Sequence, residues 1–139
     1  MKKLIVCLFP LLALVGCQDA VQQVAGAYSY KISGTATVNG LDRTLSDEIG
    51  ALEIVHVTAD TALLTFNVLN GPAYYTRATI KGKTITLVPY ERDIHIGASD
   101  YHVIAKGTGD IYDRTIVIKL QYNSSNVKAN NLTLLCKKN

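Results

Sequence analysis

The chain has no tryptophan and only two phenylalanines in 139 residues, so eight tyrosines carry almost all of its aromatic surface. Cysteine is nearly absent as well. Cys7 and Cys17 lie in the first 17 residues, which leaves Cys136 as the one thiol of the remainder. A single thiol cannot form an internal disulfide, so the fold has to rest on its own core. Cys136 alternates with Leu134 and Leu132 in "LTLLCKK" and reads as a small buried hydrophobe, with no cysteine–histidine signature around it. Charge of one sign is scarce too. Without Lys2 and Lys3 the 14 basic residues fall to 12, against 11 acidic ones. That near balance gives no basis for a nucleic-acid partner or for electrostatic binding to an anionic membrane. No phosphate loop, dinucleotide fingerprint or Gly-x-Ser-x-Gly elbow occurs. His56, His95 and His102 match no zinc spacing. The sequence therefore predicts no catalytic residues, no metal and no cofactor, and a protein that is not an enzyme. The acidic pairs Asp47-Glu48 and Glu91/Asp93 read as solvated loop residues. His56, in phase with Leu52 and Ile54, reads as a barrel-lining histidine.

What is present begins with an N-terminal address. Met1-Lys2-Lys3 is a short positive region, followed by an apolar stretch from Leu4 to Val15. The stretch is too short to span a bilayer, which takes ~20 apolar residues, and it has the layout of an export signal. Leu14-Val15-Gly16-Cys17 resembles a lipobox, the motif cut before a lipid-modified cysteine. The resemblance implies a signal peptide over residues 1–16, lipidation of Cys17 and a short tether over 17–25 with one helical turn near 19–24. Gln18, where aspartate would cue inner-membrane retention, points to a bacterial cell-envelope protein anchored in the outer membrane.

From Gly26 onward the hydrophobic period is two. Tyr28, Tyr30, Ile32 and Ala36 share one face of a first strand, which Asn39-Gly40 closes with a turn dipeptide. Further strand runs lie near 43–47 and 50–57, with Gly50 as a bend. Others follow in "TALLTFNVL", "AYYTRATI", "KTITLVPY", "YHVIAKGTGDIY", "TIVIKLQY" and "NLTLLCKK". Pro89 should end a ladder or lie on an edge, and "ERDIHIGASD" reads as a polar loop. Turn signals about ten residues apart predict an all-β domain over 26–139, an antiparallel up-and-down barrel of eight or nine strands. Tyr28, Ile32, Leu64, Phe66, Val68, Ile116, Ile118 and Leu120 are the bulky positions assigned to its interior.

Gly26-Ala27-Tyr28 stands where lipocalins carry Gly-x-Trp. Together with the lipobox, the "ALLTFN" strand ahead of Asn70-Gly71 and the closing "LTLLCKK", it resembles the small lipocalin-like (calycin-like) bacterial lipoproteins. The resemblance implies a barrel that holds a small hydrophobic or amphipathic ligand. The alternative is a non-enzymatic accessory envelope lipoprotein with a filled barrel that acts through protein contacts. An interior filled by the residues above leaves room only near one mouth. The ligand-binding candidates there are Tyr28, Tyr30, Tyr74, Tyr90, Tyr101 and His95, since tyrosine pairs an apolar ring with a hydrogen-bonding tip.

Overall fold

The structure, a computed structural model, describes residues 18–45 and 47–139. The proposed signal peptide and Cys17 lie outside the described residues. One short helix, α1 (Ala20–Val24), precedes ten strands: β1 (Gly26–Ser33), β2 (Thr35–Val38), β3 (Leu41–Thr44), β4 (Glu48–His56), β5 (Thr61–Val68), β6 (Tyr74–Lys81), β7 (Thr84–Ile96), β8 (Ser99–Tyr112), β9 (Thr115–Asn123) and β10 (Val127–Lys138). All pairings are antiparallel. β4 to β10 neighbour one another in chain order, and β1 pairs with both β4 and β10, which closes an eight-stranded barrel. Closure pairs the barrel strands on both sides except along the upper stretch where β6 and β7 part.

β2 and β3 are additional to the barrel. The first alternating run was expected to be one strand, but the chain bends at Gly34, whose φ is +143°. A side chain at Gly34 would also press on Leu132, with a Cβ only 2.8 Å from Leu132 Cδ2. Beyond that bend β2 follows β10 and folds back as β3 through the Asn39-Gly40 turn, both residues having positive φ. The β2–β3 hairpin therefore rises from one end of the barrel. Gly50, expected as a bend, stays in register with Tyr30 on one side and Val68 on the other. A Cβ there would sit 2.9 Å from Tyr30 Cε1 and closer still to the Asn67 carbonyl oxygen, so glycine makes room for the tyrosine ring.

The other end is plugged by α1. Asp19 caps the helix through a hydrogen bond from the Gln22 backbone N–H (2.7 Å), and the Gln22 side chain accepts from the Asp19 backbone N–H in return. This capping box satisfies two otherwise orphaned donors. Val21 and Val24 are buried in the barrel end, and the Tyr28 hydroxyl donates to the Val24 carbonyl at 2.6 Å. His56 follows the inward phase of its strand but lies at the rim of this end. It is exposed and places Nε2 3.1 Å from Asp19 Oδ2, so it tethers the helix instead of lining the barrel.

The interior between the two ends is packed with Leu52, Ile54, Leu64, Phe66, Ile80, Ile85, Ile116, Ile118, Leu120 and Leu134, all essentially inaccessible. Of the eight positions assigned inward from the sequence, seven are buried and Val68 is half-buried. Cys136 is buried among them, and burial pushes its thiol pKa up to about 12.

β7 departs most from its sequence reading. It runs through Pro89, where one extra residue enters between Leu87 and Tyr90 relative to β8. The bulge switches the inward phase from Ile85 and Leu87 to Tyr90, Arg92 and Ile94. Proline offers no N–H to a ladder, and a bulge leaves one residue unpaired, so the two coincide naturally. The β6–β7 ladder stops at Ala78 and Leu87, just before this point. From there upward β6 and β7 diverge, with a hydrogen bond from Thr76 Oγ1 to the Val88 carbonyl (2.9 Å) across the gap. "ERDIHIGASD", expected as a loop, is instead the top of a long β7–β8 hairpin turned at Gly97-Ala98.

Candidate functional site

The opened half of the barrel carries a largely buried polar cluster. Glu48 opens β4 in phase with Leu52 and Ile54, and Arg92 takes the new inward phase of β7, so both point into the barrel below its mouth. Their side chains are 17% and 9% exposed. Arg92 donates to both carboxylate oxygens, from Nη2 to Oε1 and from Nη1 to Oε2 at 3.1 Å. Such a two-pronged guanidinium–carboxylate contact fixes orientation as well as charge. Two tyrosine hydroxyls complete the carboxylate's shell: Tyr74 donates to Oε2 at 2.8 Å and Tyr30 at 3.2 Å.

Aromatic rings support the ion pair from beneath. Phe66 and Tyr74 are stacked at 4.7 Å between centroids, Tyr30 meets Phe66 edge-on at 5.1 Å, and Tyr74 lies parallel to Tyr90 at 5.9 Å. The Arg92 guanidinium sits 3.9 Å from the Tyr74 ring centre, a cation–π contact. Tyr90 is 9% exposed, and its hydroxyl has no hydrogen-bond partner among the described residues. Tyr122 of β9 is buried alongside and lines the same cleft as Arg92.

Open clefts meet this cluster. One of about 240 Å³ lies over Glu48, Arg92 and Tyr122, with apolar walls that include Ile32, Leu45 and Val68. A second, of about 640 Å³, opens between the 70–73 turn and the diverging upper part of β7, and reaches Tyr74, Glu48 and Arg92. The bulge at Pro89 and the clefts are connected in cause, because the loss of β6–β7 pairing above Ala78 exposes the ion pair from the side.

Burial, followed by the charge of Glu48, raises the Tyr30 pKa above the usual phenol value. Burial, followed by the proximity of another tyrosine, raises Tyr74 and Tyr90. Burial pushes Tyr122 up to about 12. Burial alone would lower the Arg92 pKa, but the hydrogen bonds to Glu48 and the surrounding partners raise it. The tyrosine shifts have a stability consequence. An unfolded tyrosine loses its proton near pH ~10, while the buried ones still hold theirs. Their contribution is therefore complete below about pH 10 and is lost as pH rises through the folded-state values. Urea unfolding followed from about pH 8 to 11 should show stability falling only above about pH 10. Burial raises Tyr28 at the closed end as well, so tyrosinate absorbance from all five should appear together with unfolding; a flat stability profile would contradict the burial of these hydroxyls.

The residues singled out from the sequence are distributed unevenly. Tyr30, Tyr74 and Tyr90 belong to the cluster. Tyr28 is at the closed end, bonded to α1. His95 faces outward from the β7–β8 hairpin with Nδ1 2.7 Å from Asp100 Oδ1, and borders both clefts. Tyr101 lines a separate cleft of about 480 Å³ between the β2–β3 hairpin and the tip of β7–β8. His102 pairs with Asp93 at 2.8 Å on the outer face. Among the described residues no three His, Cys, Asp or Glu side chains converge into a metal site. Sequence reasoning missed Glu48, Arg92 and Tyr122. Glu48 is not a solvated loop residue; its period-two phase with Leu52 and Ile54 was the available signal that it points inward. Arg92 carried no such signal, because the bulge shifts its phase.

No protein-family model matches the sequence, and no curated protein matches it. Among solved structures, the chain is similar to one described as EF1p2_mFAP2b bound to DFHBI, with a TM-score of 0.54 and 12% identity over 88% of this chain and 98% of that one. A second, described as a redesigned beta barrel, gives a TM-score of 0.46 and 12% identity over 89% of this chain and 97% of that one. At such identity the first likeness concerns architecture, and it places the chain with small closed β-barrels.

Proposed function

We propose that the protein is a lipid-anchored, lipocalin-like barrel that holds a small amphipathic molecule at its open end, without catalysing a reaction. On this reading residues 1–16 are a signal peptide, Cys17 carries the lipid, and residues 17–25 are the tether, whose helix α1 packs into the closed end of the binding domain 26–139, with the outer membrane as its site. The observation that carries the binding function is the Glu48–Arg92 pair laid at the base of open clefts. A folding core gains little from a buried ion pair, whose desolvation commonly offsets its attraction. A ligand site gains orientation and specificity from a few placed polar groups within apolar walls. The neighbouring barrel bound to DFHBI supports the idea that this architecture accommodates a small molecule.

The anchor and the site are compatible in geometry. Gln18 alone separates Cys17 from the Asp19 cap of α1, and α1 plugs the closed end. A lipid on Cys17 would set that end at the membrane and turn the mouth towards the aqueous side. The accessory reading draws on a different observation: Leu41, Ile49 and Leu69 are exposed apolar residues, of which Ile49 and Leu69 border the smaller cleft and Leu41 lies on the β2–β3 hairpin. They suit a protein partner as well as a ligand.

Native mass spectrometry of freshly purified protein, with titration of an environment-sensitive apolar dye, separates the two readings. Retained small-molecule mass and saturable dye binding are the expected results. Absence of both would leave the accessory reading. Cell fractionation of Cys17→Ala tests the anchor: the variant should leave the membrane fraction or remain unprocessed, and wild-type behaviour would remove the lipoprotein part of the proposal.

A further inference from the structure

We infer that the smaller cleft selects an uncharged amphiphile, with one hydroxyl, carbonyl or amide end and a short apolar body, and rejects carboxylates and ammonium ions of the same size. The inference rests on the proposed ligand role of the mouth and adds to it the chemical class of the ligand.

The argument is one of charge balance. Each charged pair at this cleft is already matched: Glu48 with Arg92 at the floor, and Asp47 with Lys31 at the rim (2.9 Å). Arg92 is the cation that would attract a ligand carboxylate, but it already holds Glu48 with two donors. A carboxylate could take Arg92 only by displacing Glu48. That would leave a mostly buried carboxylate with only the Tyr30 and Tyr74 hydroxyls, and unpaired buried charge is strongly unfavourable. An ammonium ion would need Glu48, whose Oε2 already accepts from Tyr30, Tyr74 and Arg92. His95 at the edge is paired with Asp100.

Neutral hydrogen-bonding capacity, by contrast, is present. The neutral phenol Tyr122 lines the floor. The walls are apolar, formed by Ile32, Leu45, Ile49, Val68, Leu69 and Ile94. Drug-sized ligands occupy ~300–1,000 Å³, so a cleft of about 240 Å³ suits a smaller molecule. Polar floor, apolar walls and no uncompensated charge together describe a neutral amphiphile.

The test uses three matched probes, n-octanol, n-octanoate and n-octylammonium, titrated by calorimetry at about pH 7 into the full-length chain carrying Cys17→Ala. Octanol should bind roughly tenfold or more tightly than either ion. Glu48→Gln frees the Arg92 charge and should shift preference to octanoate by at least about tenfold. Tyr122→Phe, a milder change, should weaken octanol severalfold and leave the two ions unaffected. Stronger binding of either ion to the unchanged site, or equal binding of all three, overturns the charge-balance inference while leaving a ligand site in place. If no probe binds, the ligand reading of the mouth fails together with it.

Discussion

Arg92→Met should destabilise the fold by about 3–5 kcal/mol, whereas Glu48→Leu combined with Arg92→Met should recover most of that loss. The single substitution leaves the Glu48 carboxylate mostly buried with no cation, attended only by Tyr30 and Tyr74. It also removes the guanidinium from the Tyr74 ring. The double substitution removes both charges at once, and apolar replacements of similar volume are often neutral or stabilising at such places. The expected pattern in urea unfolding is therefore strong non-additivity, as is usual for side chains in direct contact. If the double variant is as unstable as the sum of the singles, the pair does not act as one unit. Recovery of stability in the double variant, with ligand binding lost, would also separate the pair's part in binding from its part in folding.

Phe66→Ala should cost about 3–5 kcal/mol, the range for emptying a buried aromatic position. Phe66 is fully buried and lies between the Tyr30 and Tyr74 rings, in edge-on contact with one and stacked on the other. Those two tyrosines carry the hydroxyls that hold Glu48. The substitution thus removes packing and the support of the polar cluster together. Phe66→Leu, which keeps much of the volume, should lose clearly less. Thermal melts of the three proteins check the order, and equal stabilities would contradict the packing described for the barrel centre.

The alternation of apolar residues made most of the barrel legible. It marked the interior face in β1, β5 and β9, where Tyr28, Ile32, Leu64, Phe66, Ile116, Ile118 and Leu120 are all buried. Asn39-Gly40 was readable as a turn because both residues adopt positive φ there. β7 was not readable in its upper half, because the bulge at Pro89 reverses which residues face inward. Glu91, Asp93 and His95 then lie on an exposed hairpin face, a charged run that looks like a loop when only composition is considered. β3 gave a weak signal for the same reason, all four of its residues being exposed. The site was partly visible. The surplus of tyrosine pointed to Tyr30, Tyr74 and Tyr90, but Tyr28 and Tyr101 belong to other places. The ion pair joins residues 44 positions apart, so no local spacing announces it. Only closure of the barrel brings Glu48 of β4 against Arg92 of β7.

The central claim is that a small molecule binds over the Glu48–Arg92 pair at the open end. Its most direct test is an NMR titration of the Cys17→Ala chain carrying isotope-labelled tyrosine rings, with n-octanol as the probe. Tyr122 lies on the floor of the cleft, and Tyr28 is sealed against α1 at the opposite end. Binding at the mouth predicts saturable shifts of the Tyr122 resonances, with those of Tyr28 unchanged. Stationary Tyr122 resonances throughout the titration, or shifts confined to Tyr28, would contradict it.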